Sequence, residues 1–213
     1  MRMRKKKNLL PRMERCGAYQ IKDPYERKGR WHDLMPEAKE IRVELGCGKG
    51  RFTAETAAAE PDVLMIAVEK VPDAMVVAME RAQAAGLHNV FFVDGDAACL
   101  PEFFAPGEVS EIWITFPDPQ MKKVRKRLTS TTFLNLYRKV LKPGGMVRLK
   151  TDSPFLYTYT HLLTALNNLP TEVDTDDLYH SGMADDILQI RTYYEQQWLA
   201  RGLTIKYIAF PLP

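Results

Sequence analysis

The chain has 213 residues, 46% of them apolar, 10% aromatic and 27% charged, which fits one domain with short additions and a real core. Three cysteines exclude a disulfide scaffold, the aromatic content excludes a disordered chain, and a mean hydropathy of −0.29 excludes a membrane protein. The net charge of +3, taken alone, looks too mild to suggest nucleic acid.

The first 40 residues open on Arg2, Arg4, Lys5, Lys6 and Lys7 and are broken by Pro11, Pro24 and Pro36. They read as a basic, partly irregular arm, without the apolar stretch of a signal peptide. IRVELG (41–46) then reads as a strand ending in a glycine loop, and RFTAETAAAE (51–60) as a helix closed by Pro61. DVLMIAVEK (62–70) reads as a buried strand. VPDAMVVAMERAQAAGL (71–87) reads as a helix with Pro72 near its start and Gly86 as its stop. Strands follow at 89–97 and 111–119, an amphipathic helix at 131–141 stopped by KPGG, and a strand at 145–152. A helix at 155–169 and a last strand at 203–212 complete the pattern. Strands alternating with helices of this length predict an α/β fold, doubly wound around a mostly parallel sheet. The longest apolar run, Val63 to Val68, is far short of the roughly 20 residues that span a bilayer.

Charge is unevenly spread. Residues 1–42 hold 13 Lys/Arg and 6 Asp/Glu, and residues 43–118 hold 4 and 13. Residues 119–150 hold 10 and none, and residues 151–213 hold 3 and 8. The segment charges are therefore +7, −9, +10 and −5. A block of like charge is either a partner-binding surface or a solvated tail. The tail reading suits residues 1–7 and is weaker for 119–150, which lie inside the folded chain. Cys16, Cys47 and Cys99 form no CxxC pair, and the four histidines show no metal-ligand spacing, so no metal is expected. Unpaired thiols without a secretory signal place the chain in a reducing cytoplasm.

In an open α/β sheet, ligands bind beyond the carboxyl ends of the strands. After the first strand comes Glu44-Leu45-Gly46-Cys47-Gly48-Lys49-Gly50, where glycines let the backbone approach a ligand closely. After the second comes Glu69, an acid suited to the two hydroxyls of a ribose, or else a surface partner of Lys70. After the third comes Asp94-Gly95-Asp96, in which Asp96 suits an adenine amine, or else a solvated turn. Together these ends describe a pocket for an adenosine-bearing cofactor. After the fourth comes Phe116-Pro117-Asp118-Pro119, a carboxylate held between two prolines. Lys122, Lys123, Arg125, Lys126 and Arg127 follow, placed for phosphate contacts where substrate must arrive.

VELGCGKG, AVEK, VDGDA, WITFPDP…KK and LKPGG, in this order, resemble the class I S-adenosylmethionine-dependent methyltransferases. The FPDP…KK run and Thr192-Tyr193-Tyr194-Glu195, which looks like a T-x-Y-E signature, narrow the resemblance to the bacterial tRNA (guanine-N7)-methyltransferases. It covers roughly residues 40–210. It implies a seven-stranded Rossmann-like sheet with helices on both faces, with residues 41–213 as the methyltransferase domain behind the 1–40 arm. It implies S-adenosyl-L-methionine as cofactor and a guanosine of the tRNA variable loop as target. By the resemblance Glu44, Glu69, Asp96 and Asp118 line the cofactor pocket, together with the Gly46 and Gly48 turn. Lys122, Asp152 and Thr192, Tyr193, Tyr194 and Glu195 contact the substrate, with Lys123, Arg125, Lys126 and Arg127 on the RNA backbone. The family often reads P-D-P-W-P-K-K, whereas Gln120 and Met121 stand here at the Trp and Pro positions.

The residue types suit that chemistry. Guanine N7 carries an in-plane lone pair and no proton, so it attacks a methyl group without a general base. Position and a nearby carboxylate are what the protein must supply. Asp118 is the expected active-site acid. Among Asp118, Asp152 and Glu195, which one reads the N1–H and N2–H₂ donor pair of guanine stays open. Asp152 reads equally as a helix cap with Ser153, and Tyr193 and Tyr194 as stacking or as packing aromatics. Partners are expected to be tRNA, with no membrane, as monomer or homodimer. A small-molecule methyltransferase and a non-catalytic RNA-binding module are the rival readings, and G-x-G-x-G with PDP argues against a nicotinamide enzyme.

Overall fold

Every side chain of Val63–Glu69 is buried, as in a strand covered on both faces. Its alternate positions separate. Leu64, Ile66 and Val68 belong to one apolar cluster and Val63, Met65 and Ala67 to another. This division runs through the whole protein. In the computed structural model, which describes residues 7–213, eight strands form one sheet. They are β1 (Gln20–Ile21), β2 (Glu40–Leu45), β3 (Val63–Glu69), β4 (Val90–Asp94), β5 (Val109–Thr115), β6 (Leu141–Thr151), β7 (Val173–Thr175) and β8 (Lys206–Pro211). Their spatial order is β1-β4-β3-β2-β5-β6-β8-β7. Pairing is parallel except where β8 runs against β6 and β7. Order reverses between β2 and β5, so the carboxyl ends of these strands form the crevice where a doubly wound sheet binds its ligand.

Helices cover both faces. On one side α2 (Arg51–Ala59) and α3 (Pro72–Ala84) place Ala57, Met75, Ala78 and Met79 against Met65 and Phe92. On the other, α4 (Leu100–Phe103), α5 (Thr131–Tyr137) and α6 (Pro154–Leu166) place Leu100, Phe133, Tyr137 and Leu156 against Ile66 and Ile112. Pro72 sits in the first turn of α3, where a missing N–H costs nothing. Gly86, at φ +62°, closes that helix, with the Leu87 amide bonding the Ala82 carbonyl as in a Schellman cap. The stretch before β2 is laid against the domain. Arg12 of α1 (Leu9–Arg15) forms a two-pronged ion pair with Glu80 of α3. Trp31 is fully buried and donates its indole N–H to the Phe103 carbonyl. Arg2, Arg4, Lys5 and Lys6 of the basic start lie outside the described residues.

Several expected boundaries are corrected. The sheet has eight strands rather than seven, because two residues of the N-terminal stretch pair with Phe92 and Val93 at its edge. The strand expected over 111–119 stops at Thr115, because Phe116, whose amide makes the last bond to β6, turns to φ +50°. The helix expected over 131–141 stops at Tyr137, because Leu141 already pairs with Val109. The β6 register then skips to Met146 opposite Glu111, so the KPGG residues bulge out of the ladder. A seventh helix, α7 (Tyr193–Leu199), precedes β8. No helix among the described residues is long and apolar enough to cross a membrane.

Candidate cofactor and substrate site

A cavity of about 490 Å³ opens at the carboxyl ends of β2, β3, β4 and β5, a size usual for a small-molecule site. Gly46, Glu69, Asp96 and Asp118, each from a different strand end, line it. Leu128, just before α5, and Phe133 and Leu136 of α5 itself line it as well. Gly46, Gly48 and Gly50 all take positive φ, which the tight turn between β2 and α2 requires. At Gly50 a Cβ would stand 2.4 Å from that of Ala78, so only glycine lets the turn settle on α3.

The carboxylates hold the walls. Glu69 is buried, and its Oε2 accepts the Gly48 amide at 2.8 Å while Oε1 accepts the Val71 amide at 2.9 Å. It thus ties the glycine turn to the end of β3 and keeps a lone pair on each oxygen. Asp96 accepts the Ala98 amide at 2.9 Å through Oδ1, and Asp118 accepts the Gln120 amide at 2.9 Å through Oδ1. The second oxygen of each has no partner among the described residues. Asp118 is exposed, between Phe116 (φ +50°) and Gln120 (φ +48°). Left-handed backbone is rare for bulky side chains, and two such residues around one acid mark strain held at a site.

Glu44 stands apart from this rim. It is buried, and it accepts the Thr115 hydroxyl at 2.5 Å and the Thr53 hydroxyl. Burial pushes its carboxyl up to about 7, with the two hydroxyls pulling it back and Glu69 adding to the rise. It props the base of the glycine turn from beneath.

The basic loop divides into outward and inward members. Lys122, Lys123, Arg125 and Lys126 are exposed, with no ion-pair partner among the described residues, and the last two also line the cavity. Arg127, expected on the RNA backbone, turns inward and is only 5% exposed. Its guanidinium donates to the carbonyls of Gln120 at 3.3 Å and Met121 at 3.0 Å. It stacks over Tyr159 at 4.4 Å and Phe155 at 4.7 Å. It staples the loop to α6.

The C-terminal signature is placed by a capping box. The Thr192 hydroxyl accepts the Glu195 amide at 3.2 Å, and Glu195 Oε2 accepts the Thr192 amide at 2.9 Å. The other oxygen of Glu195 faces Lys150 Nζ at 2.8 Å and accepts the Tyr179 hydroxyl. Glu195 is 0% exposed, so no atom of it meets solvent, whereas Tyr193 and Tyr194 are 60% and 51% exposed. Asp152 is half-buried and without a side-chain partner among the described residues. The cap of α6 belongs to Ser153, which accepts the Leu156 amide at 3.2 Å.

A family model described as "Putative methyltransferase" matches residues 38–208. A tRNA (guanine-N(7)-)-methyltransferase of Porphyromonas gingivalis is 54% identical over 87% of this chain and 77% of that one. Proteins of the same name from Bacteroides thetaiotaomicron and Geobacillus kaustophilus are 51% and 36% identical, over 89% and 95% of this chain and 76% and 93% of theirs. The chain belongs to the tRNA (guanine-N7)-methyltransferase family. Among solved structures, the 16S rRNA methyltransferase KamB superposes with a TM-score of 0.65 at 15% identity, over 87% of this chain and 94% of that one. At that identity the likeness speaks for the Rossmann-like fold alone.

Around the cavity, sequence reading overlooked Leu128, Phe133 and Leu136, which carry only an ordinary amphipathic pattern. It also overlooked Phe116, Lys150 and Tyr179. Phe116 lines the cavity and packs on the apolar cluster of Leu178 and Leu188. Lys150 gave one readable signal, a lysine in the midst of a buried strand.

Proposed function

We propose that this protein transfers the methyl group of S-adenosyl-L-methionine to N7 of a guanosine in tRNA, forming 7-methylguanosine. The observation that carries the reading is that Asp118, Arg125 and Lys126 line one cavity. The pocket suited to the methyl donor and the loop suited to phosphates therefore adjoin. The walls fit the donor. Glu69 and Asp96 offer carboxylate oxygens to hydroxyl and amine groups, and the glycine turn leaves backbone close to the ligand. When bound, S-adenosyl-L-methionine supplies an electrophilic sulfonium methyl. The protein's own part is to align guanine N7 with it and to offset the positive charge that develops on the ring.

Asp118 supplies that negative charge, preorganised by its bond to the Gln120 amide. Asp152, with no side-chain partner among the described residues, accepts the guanine N1–H and N2–H₂ pair, a part for which Glu195 has no accessible oxygen. Lys122, Lys123, Arg125 and Lys126 hold phosphates. The three cysteines are free thiols, in keeping with a cytoplasmic enzyme.

The test is incubation with labelled S-adenosyl-L-methionine and bulk tRNA, followed by mapping of the modified base. Label at N7 of guanosine is expected. Asp118→Ala should lower the transfer rate by roughly 100-fold or more while the melting temperature stays close to that of the wild type. Full activity in that variant would remove Asp118 from the mechanism.

A further inference from the structure

Residues 176–192 contain neither helix nor strand, yet they lead directly into Thr192–Glu195. Without a backbone ladder, side chains must fix the path of this segment. One buried group binds it at three points. Lys150 Nζ has three protons, and all three are spent on the C-terminal segment. They go to the Leu188 carbonyl at 2.8 Å, the Ile190 carbonyl at 3.1 Å and Glu195 Oε1 at 2.8 Å. Both ends of the ion pair are wholly buried.

Such a pair is poor at raising stability, because desolvation consumes its attraction. What it does well is register: a buried charge tolerates no neighbour but its partner. The backbone of the same lysine reaches the active-site side. Its carbonyl accepts the Phe116 amide at 2.8 Å, where the chain turns into Pro117 and Asp118, and Asp152 follows two residues on.

We infer that the buried pair Lys150 and Glu195, with the half-buried Tyr179, forms a latch that positions the Thr192–Tyr194 turn against the end of β6, and that none of the three touches substrate. The inference rests on the reading above, in which Asp152 and Thr192 to Tyr194 meet the guanosine. The T-x-Y-E signature is then a cap and an anchor. Thr192 and Glu195 fold the turn, Lys150 fixes it, and Tyr193 and Tyr194 face outward.

The test uses Lys150→Met/Glu195→Gln, which removes the pair without stranding a charge, and Tyr179→Phe, which removes one hydroxyl. Each is measured for S-adenosyl-L-methionine affinity, for kcat and KM with tRNA, and for proteolytic cleavage within residues 180–191. In the double variant kcat should fall roughly 30- to 100-fold, as small misplacements do. The KM for tRNA and the Kd for S-adenosyl-L-methionine should stay within about threefold, because the phosphate-facing loop and the cavity walls are untouched. In Tyr179→Phe kcat should fall by roughly three- to tenfold. Cleavage should quicken in both. A kcat near that of the wild type in the double variant overturns the latch, as does a parallel loss of cofactor binding and kcat in both variants. Should the double variant not fold, an unchanged kcat in Tyr179→Phe overturns it alone. Absence of tRNA methylation by the wild type rejects the functional reading instead, and the cleavage rates still decide the latch, an unchanged rate overturning it.

Discussion

Glu44 is an acid that water does not reach, and its two hydroxyl partners suit a protonated carboxyl as well as an ionised one. Its proton affinity is raised in the folded state, from 4.5 to about 7. Between those values the folded chain holds a proton that the unfolded chain has released, so stability falls as pH rises through the window. The whole effect is at most about 3 kcal/mol. Glu44→Gln keeps the neutral shape and removes the titration. Unfolding free energies at pH 5 and pH 8 should therefore show the wild type losing ground to the variant as pH rises. A constant difference would mean that the carboxyl is ionised throughout. The acid itself is legible in the sequence as the end of the first strand. Its burial is not, because the partner Thr115 lies 71 positions away on another strand.

At the scale of the element, the loop between β5 and α5 owes its course to Arg127. Its charge belongs to a basic run that sequence reading assigns to RNA, and nothing local separates it from Arg125. The separation comes from α6, whose Phe155 and Tyr159 offer ring faces to one planar cation. Lysine keeps the charge but has neither the flat face that stacks on two rings nor the planar fork of donors that reaches both carbonyls from between them. Arg127→Lys should therefore lower kcat/KM for tRNA by roughly tenfold or more, through a misplaced Asp118. Arg125→Lys, on the exposed part of the loop, should change it by less than about threefold. Steady-state kinetics of the two variants side by side measure the contrast, and equal losses would show Arg127 to be one more phosphate contact.

Across the whole molecule, charge is sorted along the chain. The residues that line the proposed cofactor cavity come mainly from the segment of net charge −9, and the phosphate-suited loop from the segment of +10. Four exposed cations at Lys122, Lys123, Arg125 and Lys126 predict a log–log slope of tRNA affinity on salt of about −3 to −4. Lys122→Ala/Lys123→Ala should reduce it by about 2. Filter binding from low to moderate salt reads this directly, while affinity for S-adenosyl-L-methionine should hardly change. A slope near zero would detach the loop from RNA. The alternation of strand and helix, the crevice and most strand ends were legible because long buried strands carry a strong pattern. The sheet edges were not. Gln20–Ile21 and Val173–Thr175 are too short to show any period, and only their neighbours make them strands.

One detail of the sheet bears on how the protein comes into being. Strand β8 lies between β6 and β7, although β7 precedes it in the chain. A polypeptide growing past residue 200 can complete the parallel half of the sheet, but Val173–Thr175 has no neighbour to pair with until Lys206–Pro211 has been synthesised and slotted in. The same strand flanks the buried anchor, since β8 runs antiparallel to β6 and sets Tyr207 opposite Lys150. Loss of the last few residues would therefore cost two strands rather than one. A nascent or truncated chain would hold a nearly finished cavity at the parallel strand ends beside an unfinished sheet edge.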